Sequence, residues 1–340
     1  MGRKTVYNNI VGEKYGLVNE DNKELLEEWI EYLHSVNRAT KTISQYENDF
    51  KIWCVWAFDN AEDKFFIEIN KRDIMKFQGY CLRTLGHSPA RVRRLRSTLS
   101  SISNYVENIL DDTYPDFRNI INKIEAPTLA PVRKKLIMNE EEVNNILEKL
   151  VDKKMYQQAC YFALSCYGGA RKSELLRFKA DWFKDEYLEN GLYKTPEKIK
   201  SKGRGKNGKL IDKWTIKKYF DPYYELWMNQ RKKLEIDSEW LFVRQISGKY
   251  ESAIVSTANS WANTISSVLG ETWYPHANRH YFCTMLCKAG IPAEIIKDII
   301  SWANVSLIST YNDADASDSF SKYFSENGIV EQDDKNMKDL

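Results

Sequence analysis

Three short stretches of this 340-residue chain hold residue types suited to chemistry on an anion. In Gly168-Gly169-Ala170-Arg171-Lys172-Ser173-Glu174-Leu175-Leu176, a glycine pair leads into a helix whose opening presents Arg171. In His276-Ala277-Asn278-Arg279-His280, the histidine and arginine stand three residues apart, so on a helix they share a face and converge on one anion. The third stretch, Ser301-Trp302-Ala303-Asn304-Val305-Ser306-Leu307-Ile308-Ser309-Thr310-Tyr311, ends on a phenolic hydroxyl. A tyrosine hydroxyl, with a reference pKa of about 10, is a poor nucleophile at neutral pH without help. Its attack on a phosphodiester would build negative charge on the non-bridging oxygens. Two guanidinium forks suit that charge geometrically and keep their protons. Taken singly, each stretch is ordinary. An arginine after glycines is usually a surface residue, H-x-x-R on a helix is more often structural, and the chain has 20 tyrosines. Their weight lies in order and spacing.

The chain that must position these residues reads mostly as helix, and its length favours two domains, each able to bury a core. Residues 1–19 are polar and predict an arm with little structure of its own. From Asp21, the residues Leu25, Leu26, Trp29, Ile30 and Leu33 recur at three- and four-residue steps. A second helix begins near Thr40 and buries Ile43, Tyr46, Phe50, Trp53 and Cys54; a third runs from about Lys71 to Leu85. Gly86-His87-Ser88-Pro89 reads as a stop followed by an N-cap with proline at N1. The next helix carries one apolar stripe through Val92, Leu95, Leu99, Ile102, Val106 and Ile109. Arg93 and Arg94 point away from the stripe and Arg91 and Arg96 flank it. With Arg83 they make five arginines and no acid between 83 and 96, which points to phosphate contact.

Pro127 and Pro131 mark residues 126–136, which lack apolar periodicity and hold Arg133-Lys134-Lys135, as a linker. Asn139 followed by Glu142 announces a further helix through a capping box. Over 191–219 the helical pattern breaks. Leu192-Tyr193 and residues 210–216 have strand character, with Gly203, Gly205 and Gly208 in the turn between them. Residues 194–218 carry ten Lys or Arg against Glu197 and Asp212, which predicts a β-hairpin with a lysine-rich tip. Beyond Trp227 the chain reads as helical to its end.

Composition bounds the function. The hydrophobic fraction of 43% is that of a folded chain, and no apolar run approaches the roughly 20 residues that cross a bilayer. With no secretion signal at the start, the expectation is a soluble protein of the cytoplasm, at the nucleoid in a prokaryotic host, without membrane partners. Six scattered cysteines then read as reduced, mostly buried thiols. His280, Cys283 and Cys287 share helical spacing, but a helix face of this kind is usually core, so no metal site is assigned. The net charge of +2 divides into −5 over residues 312–340 and +7 over the rest. A modestly basic body fits a polyanionic partner.

In that order and spacing the stretches resemble the tyrosine recombinases of the phage integrase family. The family pattern is G-x-R-x-S-E-L, a lysine on a β-hairpin, H-x-x-R-H, and L-G-H followed nine residues later by tyrosine. Gly169 to Leu175 matches the first element and His276 to His280 the third, with Asn278 where leucine is usual. Ile300-Ser301-Trp302 stands in place of L-G-H, nine residues before Tyr311. Residues 20–125 resemble the family's core-binding domain. The resemblance implies a mainly α protein with a small β-sheet or hairpin. Its parts would be a flexible arm (1–19), a helical SAM-like core-binding domain (20–125), a linker (126–136), an α+β catalytic domain (137–311), and an exchange segment with an acidic tail (312–340).

It further implies a site-specific recombinase that cuts and rejoins double-stranded DNA through a 3′-phosphotyrosyl link at Tyr311. Relatives act as homotetramers through a Holliday junction, a plan that leaves room for an accessory DNA-bending factor. Arg171, Arg279 and Trp302 would support the transition state, His276 would take the tyrosine proton, and a lysine would protonate the departing 5′-oxygen. An indole N–H only donates, so Trp302 cannot do acid–base work. The Lys202-Gly203-Arg204-Gly205 tip resembles the family's K-G-x-G turn and selects Lys202, with Lys200 and Lys206 as alternatives. Arg91, Arg93, Arg94, Arg96, Arg133, Lys134, Lys200, Arg204 and Lys206 are the candidate DNA contacts. The aryl phosphate link conserves the energy of the broken backbone, so no cofactor is called for. A type IB topoisomerase or telomere resolvase would share this chemistry, and a catalytically silent DNA-binding protein is the alternative of another class. In relatives a helix after the tyrosine docks into a neighbouring protomer. Phe320, Tyr323 and Phe324 keep a spacing compatible with such a helix.

Overall fold

The computed structural model describes residues 11–129, 136–203 and 208–312, and the backbone of 324–325 and 328–329. The chain forms two compact units, one over Met1–Lys134 and the other over Lys135–Lys202 and Lys209–Leu340. It is mostly helical with small antiparallel sheets.

The first unit is built on helices α1 (Glu20–Ser35), α2 (Thr40–Asn60), α3 (Lys71–Arg83) and α4 (Pro89–Ile109). Each helix start is capped by a side chain except that of α2, whose N-cap Ala39 has no side-chain acceptor. Asn19 caps α1, an Asn70–Asp73 capping box opens α3, and Ser88 with Pro89 opens α4 as the sequence predicts. The core is aromatic, with Trp29, Phe50, Trp53, Phe66 and Phe77 buried and Trp53 edge-on to Phe77 at 5.1 Å. One expectation fails here. Residues 12–17 form a 3-10 turn flanked by Val11 and Val18, both buried in this core, so the described part of the arm is docked. Two isolated valines carry no period from which to read that burial.

The second unit opens with α5 (Glu140–Asp152), α6 (Tyr156–Gly168) and the single turn α7 (Lys172–Leu175). Every residue of α6 from Ala159 to Gly168 is buried, as befits a helix apolar on all sides and packed between neighbours. Strands β1 (Leu188–Glu189), β2 (Leu192–Lys194), β3 (Ile199–Ser201), β4 (Lys209–Ile211) and β5 (Trp214–Ile216) follow. They make a three-stranded sheet, β1-β2-β5, and a separate β3-β4 pair nested between β2 and β5 in the chain, not one hairpin. Strand β2 pairs with β5 in the register Tyr193↔Thr215, and β3 with β4 in the register Lys200↔Leu210.

Helix α8 (Lys217–Lys233) leads to a hairpin that the sequence reading missed, β6 (Val243–Ile246) and β7 (Lys249–Ser252). Its two-residue turn has Ser247 and Gly248 both at positive φ, the geometry that suits strand twist. Helices α9 (Val255–Leu269), α10 (Pro275–Lys288), α11 (Ala293–Ile300) and α12 (Ile308–Tyr311) complete the unit. The backbone at β8 (Phe324–Ser325) is extended and pairs with β9 (Gly328–Ile329), where a helix through Phe324 was expected. Phe320, Tyr323 and the acidic tail lie outside the described residues. No helix among the described residues is long and apolar enough to cross a membrane.

Candidate active site

Arg171 owes its place to the end of α6. Gly169 turns the chain at φ +56°, and a Cβ there would lie 2.4 Å from the Phe282 ring on α10, so only glycine fits. The turn aims the Gly169 carbonyl at α10, where it accepts from Arg279 Nη1 at 2.7 Å. Arg171 then stands at the N-cap of α7. Its backbone N–H donates to Glu174 Oε2 and its Nη1 to Glu174 Oε1, both at 2.8 Å. Nη1 also donates to Ser201 Oγ at 3.1 Å, and Ser201 donates to the same carboxylate. Glu174 is fully buried. Burial alone would raise its pKa, but Lys213 and the hydrogen bonds from Ser201 and Arg171 outweigh it and hold the carboxyl at about 2.

Helix α10 starts with Pro275 at N1 and presents His276 and Arg279 one turn apart. Arg279 is completely buried. Burial, and then the charge of Arg171, lower its pKa to about 10, which still leaves it charged at neutral pH. His276 is partly open to solvent. Desolvation of the rest, with the charges of Arg279, His280 and Arg171, lowers its pKa to about 4. A neutral imidazole therefore faces the tyrosine, and its Nε2 lies 2.8 Å from the Tyr311 hydroxyl. The phenol ring is seated on the site, with ring centres 4.6 Å from His280 and 4.9 Å from Trp302, and the Arg279 guanidinium 5.7 Å away.

Trp302 and Tyr311 reach this position through α11 and a small apolar cluster. Phe282, Cys283, Leu286, Ile296, Ile300 and Trp302 pack together, with Leu307, Ile308 and Tyr311 against them. Ser301 ends α11 in the left-handed conformation at φ +61°. Its hydroxyl donates to the Asp212 carbonyl at 2.6 Å. Trp302 follows, 5% exposed, with its indole under the Arg279 charge at 5.3 Å. Among the described residues no acceptor meets the buried indole Nε1, which leaves it to donate to an oxygen entering the site.

The structure thus brings Arg171, His276, Arg279, Trp302 and Tyr311 together. Glu174, one turn after Arg171, takes the orienting role that its spacing suggests, and three further residues join the site that the sequence reading did not place there. His280 packs on the tyrosine, Ser201 bonds the Glu174 carboxylate, and Lys213 lies fully buried with Nζ 3.7 Å from Glu174. His280 stood inside a quoted motif; Lys213 was one of ten cations over 194–218 and had no signal to separate it.

Among the hairpin lysines, Lys202 directly follows Ser201 at the rim and is exposed. Lys200 is exposed on the face of β3 opposite Ser201. Arg133, Lys134, Arg204 and Lys206 lie outside the described residues. The arginine run of α4 is corrected in part, because an acid does face it. The buried Asp49 of α2 binds Arg91 Nη2 at 2.6 Å and lies 3.8 Å from Arg94 Nε. Arg96 is buried and donates to Gln78 and to the Ile121 and Ile124 carbonyls, so its fork is committed to the fold. Arg93 is exposed, with Nε engaged by the Pro127 carbonyl, and Arg94 is half exposed.

The profile of the phage integrase family matches residues 137–318. Similar curated proteins include the SPbeta prophage-derived recombinase-like protein YomM of Bacillus subtilis, 26% identical over 76% of this chain and 76% of that one. Tyrosine recombinase XerD of Oceanobacillus iheyensis is 23% identical over 80% of this chain and 87% of its own. Among solved structures, the Tn1549 transposon integrase in complex with transposon right end DNA aligns with a TM-score of 0.62 at 16% identity, over 88% of this chain and 97% of that one. A lambda integrase dimer bound to a COC′ core site aligns with a TM-score of 0.60 at 15% identity, over 86% and 77%. At such identities these two likenesses concern the fold.

Proposed function

The chain belongs to the phage integrase family as a tyrosine-type site-specific recombinase, and we propose that Tyr311 is the residue by which it cuts and rejoins DNA. The reading is carried by the 2.8 Å contact between the Tyr311 hydroxyl and His276 Nε2, beside the charged Arg279. The hydroxyl oxygen attacks the scissile phosphorus while its proton passes to the neutral imidazole. The 3′-phosphotyrosyl bond forms as the bond to the 5′-oxygen breaks. Lys202 gives the leaving oxygen its proton, so that a 5′-hydroxyl is released. Arg171, Arg279 and the Trp302 indole N–H take the charge that grows on the non-bridging oxygens. In the reverse step a 5′-hydroxyl from the partner strand attacks the same phosphorus, and the bond energy is never lost to water.

The substrate is double-stranded DNA, a reading supported by the DNA held in the Tn1549 and lambda integrase structures. Arg93 and Arg94 are the α4 arginines exposed enough to meet its backbone. The first unit serves as the core-binding domain and the second as the catalytic domain. Recombination joins two sites within a tetramer, through a Holliday junction.

The test is a suicide substrate nicked beside the cleavage point, incubated with wild type and with Tyr311→Phe. Wild type accumulates a covalent protein–DNA adduct and Tyr311→Phe accumulates none. An adduct at equal yield from the variant would dismiss Tyr311 as the nucleophile. Supercoil relaxation without joining of two sites would move the protein to a topoisomerase role.

A further inference from the structure

Beneath the site lies a lysine that the mechanism above does not use. Lys213 sits between β4 and β5 with no exposed surface, and its Nζ donates to the Ile300 carbonyl at 3.0 Å. Its backbone is held on both sides by Thr195, whose N–H donates to the Lys213 carbonyl at 3.0 Å. The Thr195 hydroxyl in turn accepts from the Lys213 N–H at 3.1 Å. The preceding residue makes a second clamp on the same place, since the Asp212 carbonyl accepts from Ser301 Oγ at 2.6 Å. Two consecutive residues beside the hairpin therefore hold the two consecutive residues that precede Trp302. Arg279 Nη2 reaches the Ile300 carbonyl as well, at 3.5 Å. The clamp joins the segment carrying the hairpin to the segment carrying Trp302 and Tyr311.

Resting on the recombinase reading above, we propose that Lys213 is a positioning residue for cleavage, tying the Ile300–Trp302 turn to the hairpin strand and to the carboxylate that anchors Arg171. A buried ammonium is costly unless it is paired and hydrogen-bonded, and an apolar residue of similar volume would fill the same space. The lysine is thus not explained by packing. The charged groups facing it are Glu174 at 3.7 Å from α7, Arg171 at the start of α7, and Arg279 from α10. Burial first, and then the two arginines, lower its pKa to about 7, against the pull of Glu174. Three cations share one carboxylate. The surplus positive charge lies beneath the position of the scissile phosphate, whose negative charge in turn favours the protonated lysine. As pH rises and Lys213 loses its proton, both the clamp and this charge weaken.

The experiment measures single-turnover cleavage of the nicked substrate at saturating DNA, with the Kd for site-bearing DNA, from pH 6 to 9. Wild type is compared with Lys213→Met. Cleavage by Lys213→Met should fall roughly 10- to 100-fold, the scale of a misplaced reacting group. Its Kd should stay within about twofold, because the side chain touches no DNA. The wild-type rate should decline on the alkaline side and the variant's should not. Cleavage within twofold of wild type with the same pH profile would make Lys213 a core residue only, and a Kd that weakens in step with cleavage would make it a binding residue. If Lys213→Met fails to fold by circular dichroism, Lys213→Gln, which keeps a donor without the charge, takes its place. If neither folds, a wild-type rate without inflection over this range overturns the proposal. A wild-type protein that forms no adduct at all refutes the recombinase reading instead.

Discussion

Ser301 offers a test in which two small substitutions should differ from each other, one destabilising and the other close to neutral. The residue ends α11 at φ +61° and ψ +47°, a conformation that costs a side-chain-bearing residue about 1–2 kcal/mol and glycine almost nothing. It recovers part of that cost through the hydroxyl bond to the Asp212 carbonyl at 2.6 Å, worth a net of about 0.5–1.5 kcal/mol. Ser301→Ala keeps the strain and loses the bond, so it should destabilise by about 1 kcal/mol. Ser301→Gly also loses the bond but relieves the strain, less about 0.4–1 kcal/mol for the freer unfolded chain. Glycine should therefore come out about 1 kcal/mol more stable than alanine and close to wild type. Urea titrations followed by tryptophan fluorescence measure this as midpoint shifts at unchanged slope. Alanine as stable as glycine would refute the left-handed turn as the reason relatives carry glycine here. Alanine as stable as wild type would refute the clamp.

The remaining predictions concern the arginines and His276. Arg96→Ala should destabilise the first unit by about 2–4 kcal/mol, since it strands Gln78 and two carbonyls, and should leave the salt slope of DNA binding unchanged. Arg93→Ala should do the reverse, with little change in stability and a salt slope lower by about one unit; equal slopes would return Arg93 to a solvated helix face. For His276 the folded pKa of about 4 lies below its ordinary 6.5. Its contribution to stability is thus complete above 6.5 and lost as pH falls through 4, because the unfolded chain takes the proton first. NMR titration of the imidazole should show its midpoint near 4, and cleavage should lose nothing to His276 between pH 7 and 5. A midpoint near 6.5, with cleavage falling between pH 7 and 5, would refute the depressed pKa.

The site was legible where chemistry and chain order coincide. Arg171, His276, Arg279, Trp302 and Tyr311 come from three contiguous stretches, each tied to one helix end, and the structure places His276, Arg279 and Trp302 around the Tyr311 phenol, with Arg171 joined to Arg279 through Glu174. Helix starts were legible for the same local reason. The capping box of Asn139 with Glu142 and the Ser88–Pro89 start stand as read, because a cap is satisfied within three residues of its own position. The β6–β7 hairpin escaped because its signal is a Ser-Gly pair between strands without clear alternation.

What was not legible is which charges are spent inside the fold, and that depends on partners distant in sequence. Arg96 and Arg93 are near neighbours with the same side chain. One points at the Ile121 and Ile124 carbonyls and is buried, while the other stays exposed. The arginine run read as unpaired because its acid, Asp49, lies more than forty residues upstream. Lys213 and Lys202 sit in the same basic stretch and meet opposite fates. Lys213 is captured by Glu174 and by the end of α11, whereas Lys202 stays at the rim. A basic run thus records an excess of charge without saying which members face the anion. In this site the division has a physical consequence. The buried cation bonds the Ile300 carbonyl beside Trp302, while the exposed one is the lysine proposed to reach the leaving oxygen. Holding and proton transfer are incompatible demands on one ammonium, and the proposed mechanism assigns them to two.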